Sequence, residues 1–112
     1  LFSRPELFTT SGERLIVIQS GVYNRHGGPD FLNARLKIGD KTWSGHVEIH
    51  LKASDWMKHG HADDEHYKNV ILHVVYQPDR DIFLHQPGDL PVFDLSCEDA
   101  FQLFACKFRH FV

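Results

Sequence analysis

The sequence predicts an α+β domain: a mixed or antiparallel sheet centred on a β-hairpin, a short helical segment near residues 62–68, and a C-terminal helix. Three stretches predict it. Residues 31–52 hold two alternating runs around Gly39-Asp40, and residues 70–76 (VILHVVY) are β-branched and nearly continuous in their apolarity. Near the end, Phe101, Phe104, Phe108 and Phe111 recur at spacings of three, four and three residues, which is one face of a helix.

In chain order, Leu1 to Thr10 is an entry segment punctuated by Pro5, and Ser11-Gly12 makes a turn. Leu15 to Ile18 reads as a short buried strand that ends at Ser20-Gly21. Asn24 to Asp30 (NRHGGPD) is a loop, because two glycines loosen the backbone and Pro29 fixes φ just before the acid. From 31 to 38 the chain alternates, with Phe31, Asn33, Arg35 and Lys37 set against Leu32, Ala34, Leu36 and Ile38. Residues 42–52 alternate again: Trp43, Gly45, Val47, Ile49 and Leu51 share one face, and Ser44, His46, Glu48, His50 and Lys52 the other. Gly39-Asp40 between the two runs marks the hairpin turn. Residues 53–69 are less regular. The VILHVVY run should be buried on both faces, with His73 a hydrogen-bonded core imidazole. Two short edge strands, 82–84 and 90–95, are expected around a Pro87-Gly88 turn, since Pro91 confines the second to an edge or a strand start. Cys97 and Cys106, nine residues apart on a helix, fall on opposite faces, so two reduced, packed thiols are expected.

Length and composition narrow the possible roles. At 112 residues the chain is expected to form a single domain with one modest core. It begins without Met and ends on FRHFV, as the N-terminal fragment of a longer protein would. A formal charge of −3 argues against diffuse attraction to nucleic acid phosphates but leaves room for a local basic groove. No apolar run approaches the roughly 20 residues of a membrane span, and no basic-then-apolar leader opens the sequence. A cytoplasmic protein without a membrane partner is therefore expected.

Chemistry concentrates in Trp43–Tyr76, which carries six of the nine histidines. On the polar face of the second hairpin strand two imidazoles flank a carboxylate. Glu48 and His50, two residues apart, lie about 7 Å from one another on one face, within reach of an acid on the preceding strand's mouth at Asp30. Two carboxylates plus a backbone carbonyl suit Mg²⁺ or Mn²⁺ and leave positions for water and phosphate oxygens. This arrangement resembles the PD-(D/E)xK nuclease superfamily, with Pro29-Asp30 as its first half and Glu48-Ile49-His50 as its second; His50 stands where that motif has lysine. The resemblance implies a divalent-metal-dependent phosphodiesterase acting on nucleic acid. Asp30 and Glu48 would hold the metal, His50 or Lys52 would orient the attacking water, and His59 and His61 would contact phosphate or complete the metal shell.

Two other readings stand beside it. His46, Glu48 and His50, joined by His59 and His61, offer imidazole and carboxylate ligands of the kind used by Zn²⁺, Fe²⁺ or Mn²⁺, and their spacing resembles the cupin superfamily. Alternatively the chain is a β-rich binding or structural domain without catalysis, its ladder merely pairing histidines with carboxylates. No phosphate-binding glycine loop or zinc-ribbon cysteine pairing occurs.

Taken together, NRHGGPDFLNARLKIG, WSGHVEIHLKASDW, HGHADDEHY and NVILHVVY resemble a bacterial family catalogued as domain-of-unknown-function family 2851, over about residues 7–95. The resemblance implies that Asp30, Glu48, His50, Ser54, Asp55, Trp56, His59 and His61 belong to the family's motif blocks, with His46 departing from the more usual asparagine.

Overall fold

In the computed structural model, residues 6–52, 68–77 and 90–109 are described, the side chains of Leu51, Lys52 and Gln77 excepted. The chain forms β1 (Leu7–Phe8), β2 (Arg14–Gln19), β3 (Val22–Tyr23), β4 (Phe31–Ile38), β5 (Lys41–Lys52), β6 (Val70–Gln77), β7 (Val92–Asp94) and α1 (Glu98–Lys107). The main path of the sheet runs β1-β2-β4-β5-β6-β7, and β3 pairs with β4 beside it. Pairing is antiparallel from β1 to β5 and parallel from β5 through β7. The described structure is thus a mixed sheet with one helix. It is more heavily β than the expected α+β class. The helical segment expected near 62–68 and the strand expected at 82–84 lie outside the described residues, apart from Lys68, which sits in a turn.

The hairpin forms where the alternation placed it. Gly39 takes φ +64 at the turn, a left-handed value that costs glycine little. The alternation along β4, however, contains a bulge. Register shifts between Phe31, opposite Val47, and Ala34, opposite Gly45, so Leu32 and Asn33 together face His46. Asn33 adopts φ 58, one of the few non-glycine residue types that tolerates this region. The extra residue carries Phe31 onto the face of Ala34, Leu36 and Ile38, all of which are buried. Strict alternation had put Phe31 with Asn33, Arg35 and Lys37, and the bulge corrects that.

β2 is also less buried than expected. Leu15 is buried and Val17 half-buried, but Ile16 and Ile18 are exposed, so this strand covers the core on one side only. β6 matches its prediction, with Leu72, His73, Val74 and Val75 all buried. β7 lies at the end of the strand order, and Pro91 directly precedes it.

One face of the sheet holds the core: Leu15, Phe31, Ala34, Leu36, Val47, Leu72, Val74, Phe93 and Leu95 pack with Phe104 and Phe108 of the C-terminal segment. Phe104 stacks on Phe108 at 4.5 Å between ring centroids, and Phe108 meets Phe31 edge-on at 4.9 Å. The helix has no side-chain N-cap; Glu98 and Asp99 in its first turn and Lys107 in its last match the helix dipole. At ten residues it is too short to persist without packing, so the aromatic face supplies its stability. The backbone N–H of Thr10, just after β1, donates to the carbonyl of Val92 in β7. That bond ties together segments from opposite ends of the strand order. Cys97 and Cys106 are free, as expected, but both are exposed rather than packed.

Gly45 of β5 is buried against the start of β6 with no room for a side chain. A Cβ there would sit 2.5 Å from both the Asn69 carbonyl oxygen and a methyl of Ile71. Backbone cannot yield as a side-chain tip can, so Gly45→Ala is expected to cost on the order of 1–3 kcal/mol, read as a lower denaturant midpoint with an unchanged m-value.

Candidate functional site

β5 carries the candidate site on the face opposite the aromatic core. Its pairing with β4 ends at Phe31 opposite Val47, which leaves the Ile49 amide, two residues on, beyond the end of the β4 ladder. The Asp30 side chain takes that place: its Oδ2 accepts from the Ile49 N–H at 2.8 Å. Glu48 Oε1 accepts from the same N–H at 3.1 Å. Two carboxylates therefore converge on one backbone donor. Loop geometry holds Asp30 there, since the Asn24 side-chain amide donates to the carbonyls of Gly27 and Pro29, and the Asn24 backbone N–H donates to the Asp30 carbonyl.

The polar face of β5 changes character along its length. Ser44 is exposed and His46 half-buried, whereas Glu48 is 4% exposed and His50 8%. Glu48 is thus no solvated strand residue. Ionisable side chains are rarely buried to this degree without hydrogen bonds or charge partners. Beside it, His50 Nδ1 and His73 Nε2 lie 2.8 Å apart with their rings perpendicular. His73, fully buried, stands directly opposite Glu48 in the parallel β5–β6 register. Between two neutral imidazoles one nitrogen must donate and the other accept, so the contact couples the tautomers of the two rings.

Asp30 and Glu48 therefore meet at the Ile49 amide, and His50 follows two residues after Glu48 on the same strand, paired with His73. Lys52 belongs to β5, but its side chain lies outside the described residues, as do His59 and His61 and the motif residues Ser54, Asp55 and Trp56. His46 is engaged elsewhere: its Nδ1 accepts from the Asn33 N–H at the bulge, at 3.1 Å. The two ladder imidazoles thus take partners on opposite neighbouring strands. His73 is the residue that sequence reasoning placed in the core without a role. It is buried as expected, but its pairing with His50 depends on the β5–β6 register, which alternation does not reveal.

Among the described residues, no three His, Cys, Asp or Glu side chains are grouped as a ready-made ion site. Structural and catalytic Zn²⁺ sites use three or four protein ligands, which the described residues do not bring together. Mg²⁺ asks less of the protein, taking one or two carboxylates and completing its shell with water and phosphate oxygens. The converging pair Asp30 and Glu48 fits that requirement.

The His50–His73 contact makes a measurable prediction. His73→Phe removes one partner of a buried hydrogen bond and is expected to cost about 1–3 kcal/mol, whereas His50→Phe/His73→Phe removes both and should cost less than the sum of the single changes. A double-mutant cycle by urea denaturation measures this coupling; strict additivity would mean that the contact contributes nothing.

No helix among the described residues is long and apolar enough to cross a membrane. No curated protein and no solved structure matches the chain. A family model described as "protein of unknown function (DUF2851)" matches residues 1–105, which carries the likeness past residue 95 and through most of α1. The chain belongs to that family.

Proposed function

We propose that this domain is a divalent-metal-dependent phosphodiesterase of nuclease-like type, with its site at the end of β5. The observation that carries the reading is the convergence of Asp30 and Glu48 on the Ile49 amide. Two carboxylates from different elements meet there beside a buried imidazole pair, although a structural strand needs only one acceptor for that amide. Asp30 and Glu48 are the residues that would hold Mg²⁺ or Mn²⁺. The metal, when bound, would supply Lewis-acid charge at a phosphoryl oxygen and acidify a bound water.

The remaining work falls to this chain's side chains. His50 Nδ1 pairs with His73 Nε2; in the tautomer in which His50 donates that bond, its Nε2 is the basic nitrogen that would take a proton from an attacking water. Lys52, one step further along the same alternation, is the other candidate for that role. His59 and His61 complete the proposal as phosphate contacts.

A second reading has its own support. Asp30 fills a vacant ladder position, so a purely structural carboxylate would also sit where it does. The two readings separate in one assay. Incubation with labelled DNA and RNA oligonucleotides should show cleavage that requires Mg²⁺ or Mn²⁺ and stops with EDTA. Absence of cleavage with either ion on all substrates would favour the non-catalytic domain.

A further inference from the structure

Resting on the phosphodiesterase reading, we infer that the exposed outer face of the β4–β5 hairpin is the track along which a nucleic acid strand reaches the Asp30–Glu48 site. The register places the residues. Arg35 lies opposite Ser44 and Lys37 opposite Thr42, and alternation along β5 puts Thr42, Ser44, His46 and Glu48 on one face. Arg35, Lys37, Thr42 and Ser44 are all exposed. Neither Arg35 nor Lys37 forms an ion pair with a described residue, in contrast to Arg14 on β2, which is bound to Glu6 at 3.2 Å.

These hairpin positions carry two positive charges and no negative one before Glu48 is reached. In a chain of net charge −3 that is a local concentration of positive charge, and such a strip attracts polyanions that the whole surface does not. The hydroxyls of Thr42 and Ser44 add donors of the kind that commonly contact phosphate oxygens. His46 extends the same edge: its Nδ1 is occupied as an acceptor by Asn33, which places the ring's N–H on Nε2.

Spacing supports a strand rather than a small phosphate ester. At about 3.4 Å per residue, Ser44 lies roughly 13 Å from Glu48 along β5 and Thr42 roughly 20 Å. Arg35 and Lys37 would therefore meet phosphates removed from the one being cleaved. A mononucleotide bound at the site would touch neither. The predicted ligand is therefore an oligonucleotide long enough to span roughly 20 Å.

The test reads binding separately from chemistry. Anisotropy of labelled twelve-nucleotide single strands and duplexes, measured in EDTA across a salt series, should give a linear fall of log K with log salt. The double variant R35Q/K37Q should reduce that slope by about 1.4 for single strands or about 1.8 for duplexes, and should weaken binding at low salt by tenfold or more. K107Q on α1, on the other side of the sheet, should leave the slope unchanged. All three substitutions are at exposed positions, and an unchanged melting temperature verifies the fold. An unaltered slope in R35Q/K37Q, or an equal loss in K107Q, would overturn the track. Equal competition by polyglutamate would overturn its assignment to a phosphodiester strand. The catalytic reading fails separately: it falls if D30N cleaves as well as the parent chain, and the track falls if R35Q/K37Q binds as well as the parent chain.

Discussion

Asp30→Asn should abolish metal-dependent cleavage while leaving the fold intact. The asparagine Oδ1 can still accept from the Ile49 N–H, so the ladder position filled by Asp30 at 2.8 Å stays occupied. What is lost is a full negative charge at the proposed metal site. Loss of a single preorganised electrostatic contact typically lowers kcat by on the order of 10²–10³, and a missing metal ligand should do at least as much. Glu48→Gln should behave alike, because Gln Oε1 can still accept from the same amide. The structural alternative makes the opposite forecast: if Asp30 only terminates a ladder, the asparagine variant should be near neutral in every assay. Alanine would be the weaker test, since it strips the amide of its acceptor and lowers stability under either reading.

The largest effect on stability is expected at Phe104. Its ring is fully buried, stacked on Phe108 at 4.5 Å and on Phe93 at 5.9 Å, and it joins α1 to the sheet. Truncating a buried phenylalanine typically costs about 3–5 kcal/mol, a large share of the roughly 5–15 kcal/mol that holds a domain together. Phe104→Ala should therefore lower the denaturation midpoint sharply and release the helix, whose ends carry no side-chain N-cap to hold it. Phe101, half-buried near the end of β6, where its ring faces Tyr76 at 6.1 Å, should cost less when shortened. Chemical denaturation followed by far-ultraviolet circular dichroism ranks the two; equal losses would contradict the packing described here.

The sequence carries more of this fold than of its site. Alternation around Gly39-Asp40 locates the hairpin, apolar continuity locates β6, and the phenylalanine spacing locates α1, because each pattern repeats often enough to distinguish a period of two from one of 3.6. β1 and β3, at two residues each, are too short to show any period. The β4 bulge escapes for a different reason. A single inserted residue reverses the facing of what precedes it, and Phe31 reads as a solvent-side neighbour of Arg35 until the Asn33 backbone is seen. Burial of Glu48 and His50 is likewise invisible to alternation, which separates the two faces of a strand without showing whether the second is covered.

For the site, Asp30 and Glu48 were identifiable because a proline-stiffened acid precedes one hairpin strand and a carboxylate-x-imidazole lies on the other. Their meeting at the Ile49 amide depends on where the β4 ladder stops, a tertiary fact. The pairing of His50 with His73 depends in turn on a parallel register between strands separated by more than 15 residues, for which local patterning holds no signal. The thiols show the same limit: helical geometry separates Cys97 from Cys106, but it does not say which faces of the helix are covered.

The central proposal is that Asp30 and Glu48 share one ion. Titration of the purified protein with Mn²⁺, followed by electron paramagnetic resonance of the free ion, should show one saturable site in the parent chain and none in Asp30→Asn at the same concentrations. Equal Mn²⁺ uptake by both proteins would contradict it, and so would a parent chain that takes up none.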